Sequence, residues 1–238
     1  MISTLILAAG KGTRLKSDKP KVLHVIKGKP SVFHVIDLAQ KVSTDVIAIV
    51  GYKHEEVESE IREEYKDVKF ALQIPQNGTA DAVQKGLPFL NSDSESVVVL
   101  SGDAPALTFK SLKLLVDEFT KNSQDASFIA AKISDPAKYG RVLVDENNKV
   151  TKIVEFIDAT EEEKKVKLIN SGVYIFKTDF LKESISKVKK NSNSGELFLP
   201  DLIEMASKND KSGLVIIDTP NEVLGFNTKE QLELLNLL

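Results

Sequence analysis

The sequence predicts an α/β protein: a doubly wound, mainly parallel sheet with a β-rich lobe set over one rim. Three observations lead there. Strand-like and helix-like segments alternate through the first half, as in βαβ units. From about residue 126 the pattern changes to closely spaced strand-like runs. The first apolar run breaks off in a glycine-bearing loop, and parallel sheets bind ligands at the carboxyl ends of their strands.

Element by element, Ile2–Leu7 reads as a buried strand and Ser31–Val42 as a helix. Pro30 precedes that helix, and Val32, Val35, Ile36 and Ala39 fall on one face. Asp45–Val50 is an apolar strand ended by Gly51. A charged helix over Glu55–Tyr65, a strand over Val68–Leu72, a helix over Thr79–Leu90, a strand over Ser96–Leu100 and a helix over Leu107–Asn122 complete the first half. Strand-like runs follow at Ser127–Lys132, Gly140–Val144, Val150–Phe156 and Leu168–Phe176, with a hairpin turn at Asn147-Asn148. Glu161–Lys165 is a solvated turn or short helix. Phe180–Lys189 and Leu197–Ser207 read as helices, Gly213–Ile217 as a strand and Lys229–Leu237 as a terminal helix. There is no linker-like segment between the halves, so the 238 residues are expected to form one domain.

The bulk numbers exclude several classes. Net charge is only −3 with 28% charged residues, which fits neither nucleic-acid nor anionic-membrane binding by the whole chain. There is no cysteine, which removes disulfides and thiolate chemistry. Ile2–Ala9 lacks the basic flank of a signal peptide, and no apolar run is long enough to span a bilayer, so a cytoplasmic location is expected. Locally the charge is uneven. Residues 1–30 hold Lys11, Arg14, Lys16, Lys19, Lys21, Lys27 and Lys29 against Asp18 alone, directly after the first strand. Glycine amides and fixed cations in one concavity suit a polyphosphate.

Two familiar phosphate loops do not match. Leu15 stands where a dinucleotide fingerprint or a Walker loop needs a glycine after Gly10 and Gly12. What remains is Leu7-Ala8-Ala9-Gly10-Lys11-Gly12-Thr13-Arg14 followed by Pro20-Lys21, with small side chains at Ala8 and Ala9 that let a ring or ribose lie against the strand end. This pattern resembles the sugar-nucleotide nucleotidyltransferase family. Gln73-Ile74-Pro75-Gln76-Asn77-Gly78-Thr79-Ala80, Gly102-Asp103-Ala104-Pro105, Tyr139-Gly140-Arg141, Glu155 with Asp158-Ala159, Asn170-Ser171-Gly172 and Gly225-Phe226-Asn227 follow in order. Together they resemble the pyrophosphorylase domain of bifunctional N-acetylglucosamine-1-phosphate uridylyltransferases. The hexapeptide repeats of those enzymes' second domain do not occur here.

The resemblance implies a nucleotide-diphospho-sugar transferase fold, with residues 1–125 as the nucleotide half and 126–238 as the sugar-phosphate half. It implies transfer of UMP from UTP to N-acetylglucosamine 1-phosphate, giving UDP-N-acetylglucosamine and pyrophosphate. The nucleophile is already an anionic phosphate oxygen, so charge stabilisation matters more than a side-chain base. Lys11 and Arg14 are expected at the β- and γ-phosphates, and Lys21 at the α-phosphate or the sugar phosphate. Asp103 is the Mg²⁺ candidate, joined through the resemblance by Asn227. Read alone, Asp103 would be a cap or Asx turn before the helix starting near Thr108, and Asn227 the cap of the last helix. Gln73, Gln76 and Gly78 can match the uracil edge, with Thr79 able to cap the next helix. Gly140, Glu155 and Asn170 match sugar contacts. Ser101 in place of Tyr, Phe156-Ile157 in place of a more polar pair, and Leu197-Phe198-Leu199-Pro200-Asp201 in place of a Tyr-Tyr-Leu-Thr-Asp segment all fall on or near the sugar side. Glucose 1-phosphate as substrate and a non-catalytic nucleotide-sugar sensor therefore stay open as alternatives, as does a different base. His24, His34 and His54 lack metal-ligand spacing. A monomer is the expected state.

Overall fold

The computed structural model describes residues 1–237. Its strands are β1 (Ile2–Ala8), β2 (Val25–Ile26), β3 (Lys29–Pro30), β4 (Asp45–Val50), β5 (Lys69–Leu72), β6 (Ser96–Ser101), β7 (Ala126–Lys132), β8 (Arg141–Val144), β9 (Val150–Val154), β10 (Leu168–Lys177) and β11 (Ser212–Ile217). The helices are α1 (Ser31–Ala39), α2 (His54–Glu64), α3 (Thr79–Gly86), α4 (Phe109–Lys121), α5 (Glu161–Lys164), α6 (Thr178–Ser184), α7 (Asp201–Ser207) and α8 (Lys229–Leu237).

Nine strands form one sheet, in the order β11-β7-β10-β6-β1-β4-β5, with the β8–β9 hairpin attached to β10. β6, β1, β4 and β5 are parallel, and β11 is parallel to β7. β10 runs against all three strands it pairs with, β6, β7 and β8. The doubly wound, mainly parallel sheet predicted from the alternation is thus present. The alternation of side chains along each strand feeds two cores. In β1, Leu5 belongs to the cluster under α3, α6 and α7, and Ile6 to the cluster under α1, α2 and α4. Truncating either would leave a cavity costing roughly 2–5 kcal/mol.

Several element ends differ from the sequence reading. α3 stops at Gly86, four residues early, and the chain continues as a 3₁₀ turn over Leu87–Phe89. A side chain at Gly86 would come within 2.7 Å of Ile49 and 2.9 Å of Leu5, so the helix sits directly on the sheet there. Leu197–Leu199 is not helical. The Leu197 N–H donates to the Asn77 carbonyl (2.8 Å) and the Leu197 carbonyl accepts from the Ala80 N–H (2.9 Å). That pairing with a remote loop replaces helical hydrogen bonds, and α7 begins only after Pro200. Residues 161–164 take the helical option, with Thr160 and Glu163 forming a capping box.

Parallel topology brings the carboxyl ends of β1, β5 and β6 to one rim. The register Tyr174↔Val99 between β10 and β6 carries Asn170 to that same rim.

Candidate active site

After Ala8 the chain turns through Gly10 and Gly12 into a 3₁₀ turn over Thr13–Leu15. Gly12 has φ +64°, and a Cβ there would lie 2.8 Å from the Lys21 Cβ, so both backbone and packing call for glycine. Leu15 anchors the loop by packing with Ile26, Phe226 and Leu235. A second 3₁₀ turn, Lys21–Leu23 after Pro20, directs the Lys21 ammonium across the rim.

Two predicted phosphate cations and two predicted metal ligands meet at this point. Lys21 Nζ pairs with Asp103 Oδ2 and donates to Asn227 Oδ1 at 2.9 Å. Arg14 Nη2 donates to the same Asn227 oxygen at 2.8 Å. The Phe226 ring lies 5.6 Å from the Lys21 ammonium. Gly225 lets this segment approach, since a Cβ there would stand 3.2 Å from Asp103 Oδ2. Neither oxygen donor is a helix cap. Thr108 caps α4, and the Asn227 side chain faces the cations while its N–H donates to Gln231. Lys11 stands apart from this cluster, exposed, with its ammonium 5.4 Å from the Tyr52 ring.

Leu7, Ala9, Gly10, Lys21, Gln73, Gln76, Gly78, Thr79 and Asp103 line a cavity of about 280 Å³, joined by Ser101 and Glu196. Ala8 is buried beneath it, and Gly102 sits against the β1 end, where a Cβ would be 3.1 Å from the Leu7 carbonyl. Gly12 shapes the loop from behind, through its packing on Lys21. Gln73 spends both amide protons inside the protein, on the Gly78 carbonyl (2.9 Å) and on Asp81 Oδ2 (2.7 Å), leaving its carbonyl oxygen free. Gly51 supports Gln76, because a Cβ at Gly51 would fall 2.8 Å from Gln76 Nε2 and 2.9 Å from Ala9 Cβ. One expectation is corrected here: the Thr79 hydroxyl does not cap α3, but accepts the Leu199 N–H at 2.9 Å.

A second cavity of about 250 Å³ shares Leu7, Thr79, Ser101 and Asp103 with the first. Gly140, Glu155, Asn170 and Asn227 line it, with Tyr139 and Tyr174. The two are halves of one cleft, of a size suited to a small-molecule ligand. Arg141 is fully buried and sets the Gly140 corner. Its guanidinium donates to the carbonyls of Pro136 (3.3 Å), Ala137 (3.0 Å), Tyr139 and Lys164 (3.2 Å). Burial, with Asp158, Asp201 and Glu196 nearby, pushes the Glu155 carboxyl up to about 7. Burial together with Glu204 and Asp158 raises Asp201 to about 6. Sequence reasoning gave no role in the cleft to Gly51, Tyr139, Tyr174, Glu196 or Gly225. Gly51 and Tyr139 carried a signal, one ending a strand as Gly10 does and the other adjoining Gly140. Tyr174 carried none.

Among the described residues no three His, Cys, Asp or Glu side chains gather as a metal cage, and no helix is long and apolar enough to cross a membrane. The fold is shared with a crystal structure from Bacillus anthracis that carries the name of a glucose-1-phosphate thymidylyltransferase. The TM-score is 0.79 at 20% identity, covering 100% of this chain and 94% of that one. In sequence the chain is similar to proteins named "Bifunctional protein GlmU". That of Bacillus licheniformis is 40% identical over 94% of this chain and 49% of its own length. That of Fervidobacterium nodosum is 42% identical over 97% and 49%, and that of Desulfotalea psychrophila 36% over 97% and 68%. The chain thus spans about half the length of most curated relatives it matches. The sequence model of one family, Nucleotidyl transferase, matches residues 3–220, from β1 to the turn before Asn227. With that match over most of the chain, and with relatives this similar, the protein belongs to the nucleotidyl transferase family.

Proposed function

We propose that this chain transfers UMP from UTP to N-acetylglucosamine 1-phosphate, with Mg²⁺, to give UDP-N-acetylglucosamine and pyrophosphate. The observation that carries the reading is the meeting of Lys21 and Arg14 with the oxygens of Asp103 and Asn227 at the mouth of a two-part cleft. A pure binding protein has no need of that combination. The choice of uridine and of the amino sugar rests on the Gln73–Thr79 and Tyr139–Gly172 motifs.

The donor set fits a hard divalent cation. One carboxylate oxygen and one amide oxygen already converge on a cationic nitrogen, that of Lys21, and Mg²⁺ is held by few protein oxygens plus water and phosphate. Asp103 and Asn227 would hold it, and when bound it supplies charge neutralisation at the phosphates. The rest falls to the chain. Lys11, Arg14 and the Gly10–Gly12 amides grip the β- and γ-phosphates, and Leu7, Ala8 and Ala9 bed the ribose. Gln76, the Gln73 carbonyl and the Gly78 backbone read uracil, with Thr79 and Gly102 closing that half of the cleft. Gly140, Glu155 and Asn170 hold the sugar so that its phosphate oxygen faces the α-phosphorus. The new phosphorus–oxygen bond forms as the bond to the bridging oxygen breaks, and pyrophosphate carries away the electron pair. Lys21, released from Asp103, neutralises the α-phosphate as charge builds.

Incubation with UTP, Mg²⁺ and a panel of sugar 1-phosphates, reading pyrophosphate, tests this. Release with N-acetylglucosamine 1-phosphate well above glucose 1-phosphate, and with UTP above CTP or dTTP, is expected. Preference for glucose 1-phosphate would favour the second reading, which Ser101 and Pro200 support, since both line the sugar half of the cleft where the resembling enzymes carry Tyr and Thr. No pyrophosphate with any sugar overturns the proposal.

A further inference from the structure

Asn170 and Tyr174 sit four residues apart on β10, on either side of a break in register with β7. Gly172, at φ +78°, lies in that break. Ser171 and Asn170 satisfy the backbone there. The Ser171 hydroxyl donates to the Ile129 carbonyl (2.6 Å) and accepts the Val173 N–H (3.1 Å), while Asn170 Oδ1 accepts the Gly172 N–H (3.2 Å). This last bond fixes the Asn170 amide. Turned over, its NH₂ would confront the Gly172 N–H, donor against donor. Nδ2 therefore faces the Tyr174 hydroxyl at 2.6 Å, and the phenol oxygen is the acceptor. The Tyr174 ring is itself immobilised, buried and stacked on Phe176 (5.8 Å between centroids) with Phe128 beyond (6.2 Å). The result is a locked amide in the wall of the second cavity. One N–H of Asn170 is spent on Tyr174 and one carbonyl lone pair on Gly172, leaving one donor and one acceptor for a ligand.

We infer that Tyr174 is a positioning residue for the sugar side of the cleft: its hydroxyl holds the Asn170 amide with one N–H and one carbonyl lone pair presented together to a hydroxyl or acylamino group of the incoming sugar phosphate. The inference rests on the functional reading above for the nature of the ligand, and on the hydrogen bonds alone for the lock. Without the phenol oxygen the ring still packs but the amide loses one of its two restraints.

The test compares the wild-type chain with Tyr174→Phe, Asn170→Ala and the double variant. For Tyr174→Phe the expected result is a rise in KM for N-acetylglucosamine 1-phosphate of roughly three- to tenfold, the scale of one lost hydrogen bond. KM for UTP should stay nearly unchanged, and the thermal midpoint should fall by only about 2–4 °C, the effect of one lost hydrogen bond on a chain of this size. Once Asn170 is alanine, adding Tyr174→Phe should change the sugar KM no further. In ¹⁵N-edited spectra the Asn170 side-chain amide pair should shift in Tyr174→Phe without ligand present. An unchanged sugar KM in an active Tyr174→Phe variant overturns the inference alone, as does an equal rise in both KM values or a full effect surviving in the Asn170→Ala background. Wild-type protein that turns over no sugar 1-phosphate overturns the functional reading, and the sugar assignment with it.

Discussion

At the scale of single residues, the cluster at the rim makes opposing demands on Lys21, which serves as counter-ion to Asp103 in the free protein and is assigned to phosphate in the proposed complex. Removing it should therefore split metal binding from turnover. Lys21→Met is expected to lower activity by roughly 10²–10³ while Mn²⁺ binding without nucleotide, read by calorimetry, tightens, because Asp103 loses its ammonium partner and Asn227 keeps only Arg14. Equal or weaker Mn²⁺ binding would separate these oxygens from the metal. Asp103→Asn should lose turnover on a similar scale with circular dichroism unchanged, and a fully active variant would remove Asp103 from the metal site. Glu155 gives a pH signature. Its carboxyl holds a proton up to about 7 in the folded protein, against 4.5 ordinarily. Between those values the folded state binds more protons than the unfolded one, so stability falls as pH rises through the window, by on the order of 3 kcal/mol in all. Glu155→Gln does not titrate and should gain on wild type between pH 5 and pH 8 in urea unfolding. A gap that stays constant with pH would contradict the buried-carboxyl account. Lys21 was legible in the sequence from the loop of glycines and cations, and Asp103 and Glu155 through the resemblance of the motifs that hold them. The Thr79 hydroxyl and Tyr174 were not, since one finds its partner 120 residues away and the other acts across an irregularity in a strand that periodicity does not reveal.

At the scale of elements, the corners of the cleft are held by backbone groups bound to other parts of the chain, some near in sequence and some remote. Arg141 is the clearest case: a buried guanidinium ties together the carbonyls of residues 136, 137, 139 and 164, fixing the turn that carries Gly140. Lysine has one nitrogen and cannot reproduce that fork. Arg141→Lys is expected to cost roughly 1–3 kcal/mol of stability and to raise the sugar KM more than the UTP KM. Equal effects on both would show that the turn does not serve the sugar half. Gly78 is the corresponding point on the nucleotide side, with φ +105° and a hypothetical Cβ 2.5 Å from the Leu197 carbonyl. Helix identities followed from periodicity because burial on one face decides them, and the central strands from short apolar runs, because strands such as β4 are buried on both faces. Element ends followed less well. α3 ends where it meets Leu5 and Ile49, and the expected helix at Leu197 gives way to pairing with the 77–80 loop. Both are tertiary effects that outweigh local propensity.

At the scale of the whole molecule, the sheet runs without interruption from β5 to β11, and β10, from residues 168–177, pairs directly with β6 from residues 96–101. A fragment ending near residue 125 would leave β6 with an unpaired edge where β10 now lies. We expect residues 1–125 alone to stay unfolded or aggregate, and the full chain to unfold in one transition by far-UV circular dichroism and by limited proteolysis alike. Two separated transitions would mean that the halves are independent. The cleft lies across this continuous sheet, which is why the N-terminal loop, the 73–79 loop and the 225–227 segment reach one point from distant parts of the chain. The fold class was legible because alternation of elements reports topology, whereas the convergence of Lys21, Arg14, Asp103 and Asn227 was legible only through the resemblance of ordered motifs. If this convergence is a triphosphate and metal site, a crystal structure with UTP and Mg²⁺ will show it occupied by both. Phosphates are expected against Gly10–Arg14, the cation between Asp103 and Asn227, Lys21 turned away from Asp103 toward phosphate, and uracil beside Gln76 and Gly78. Nucleotide bound elsewhere, or bound here with the Lys21–Asp103 pair intact and no cation beside it, would contradict that assignment.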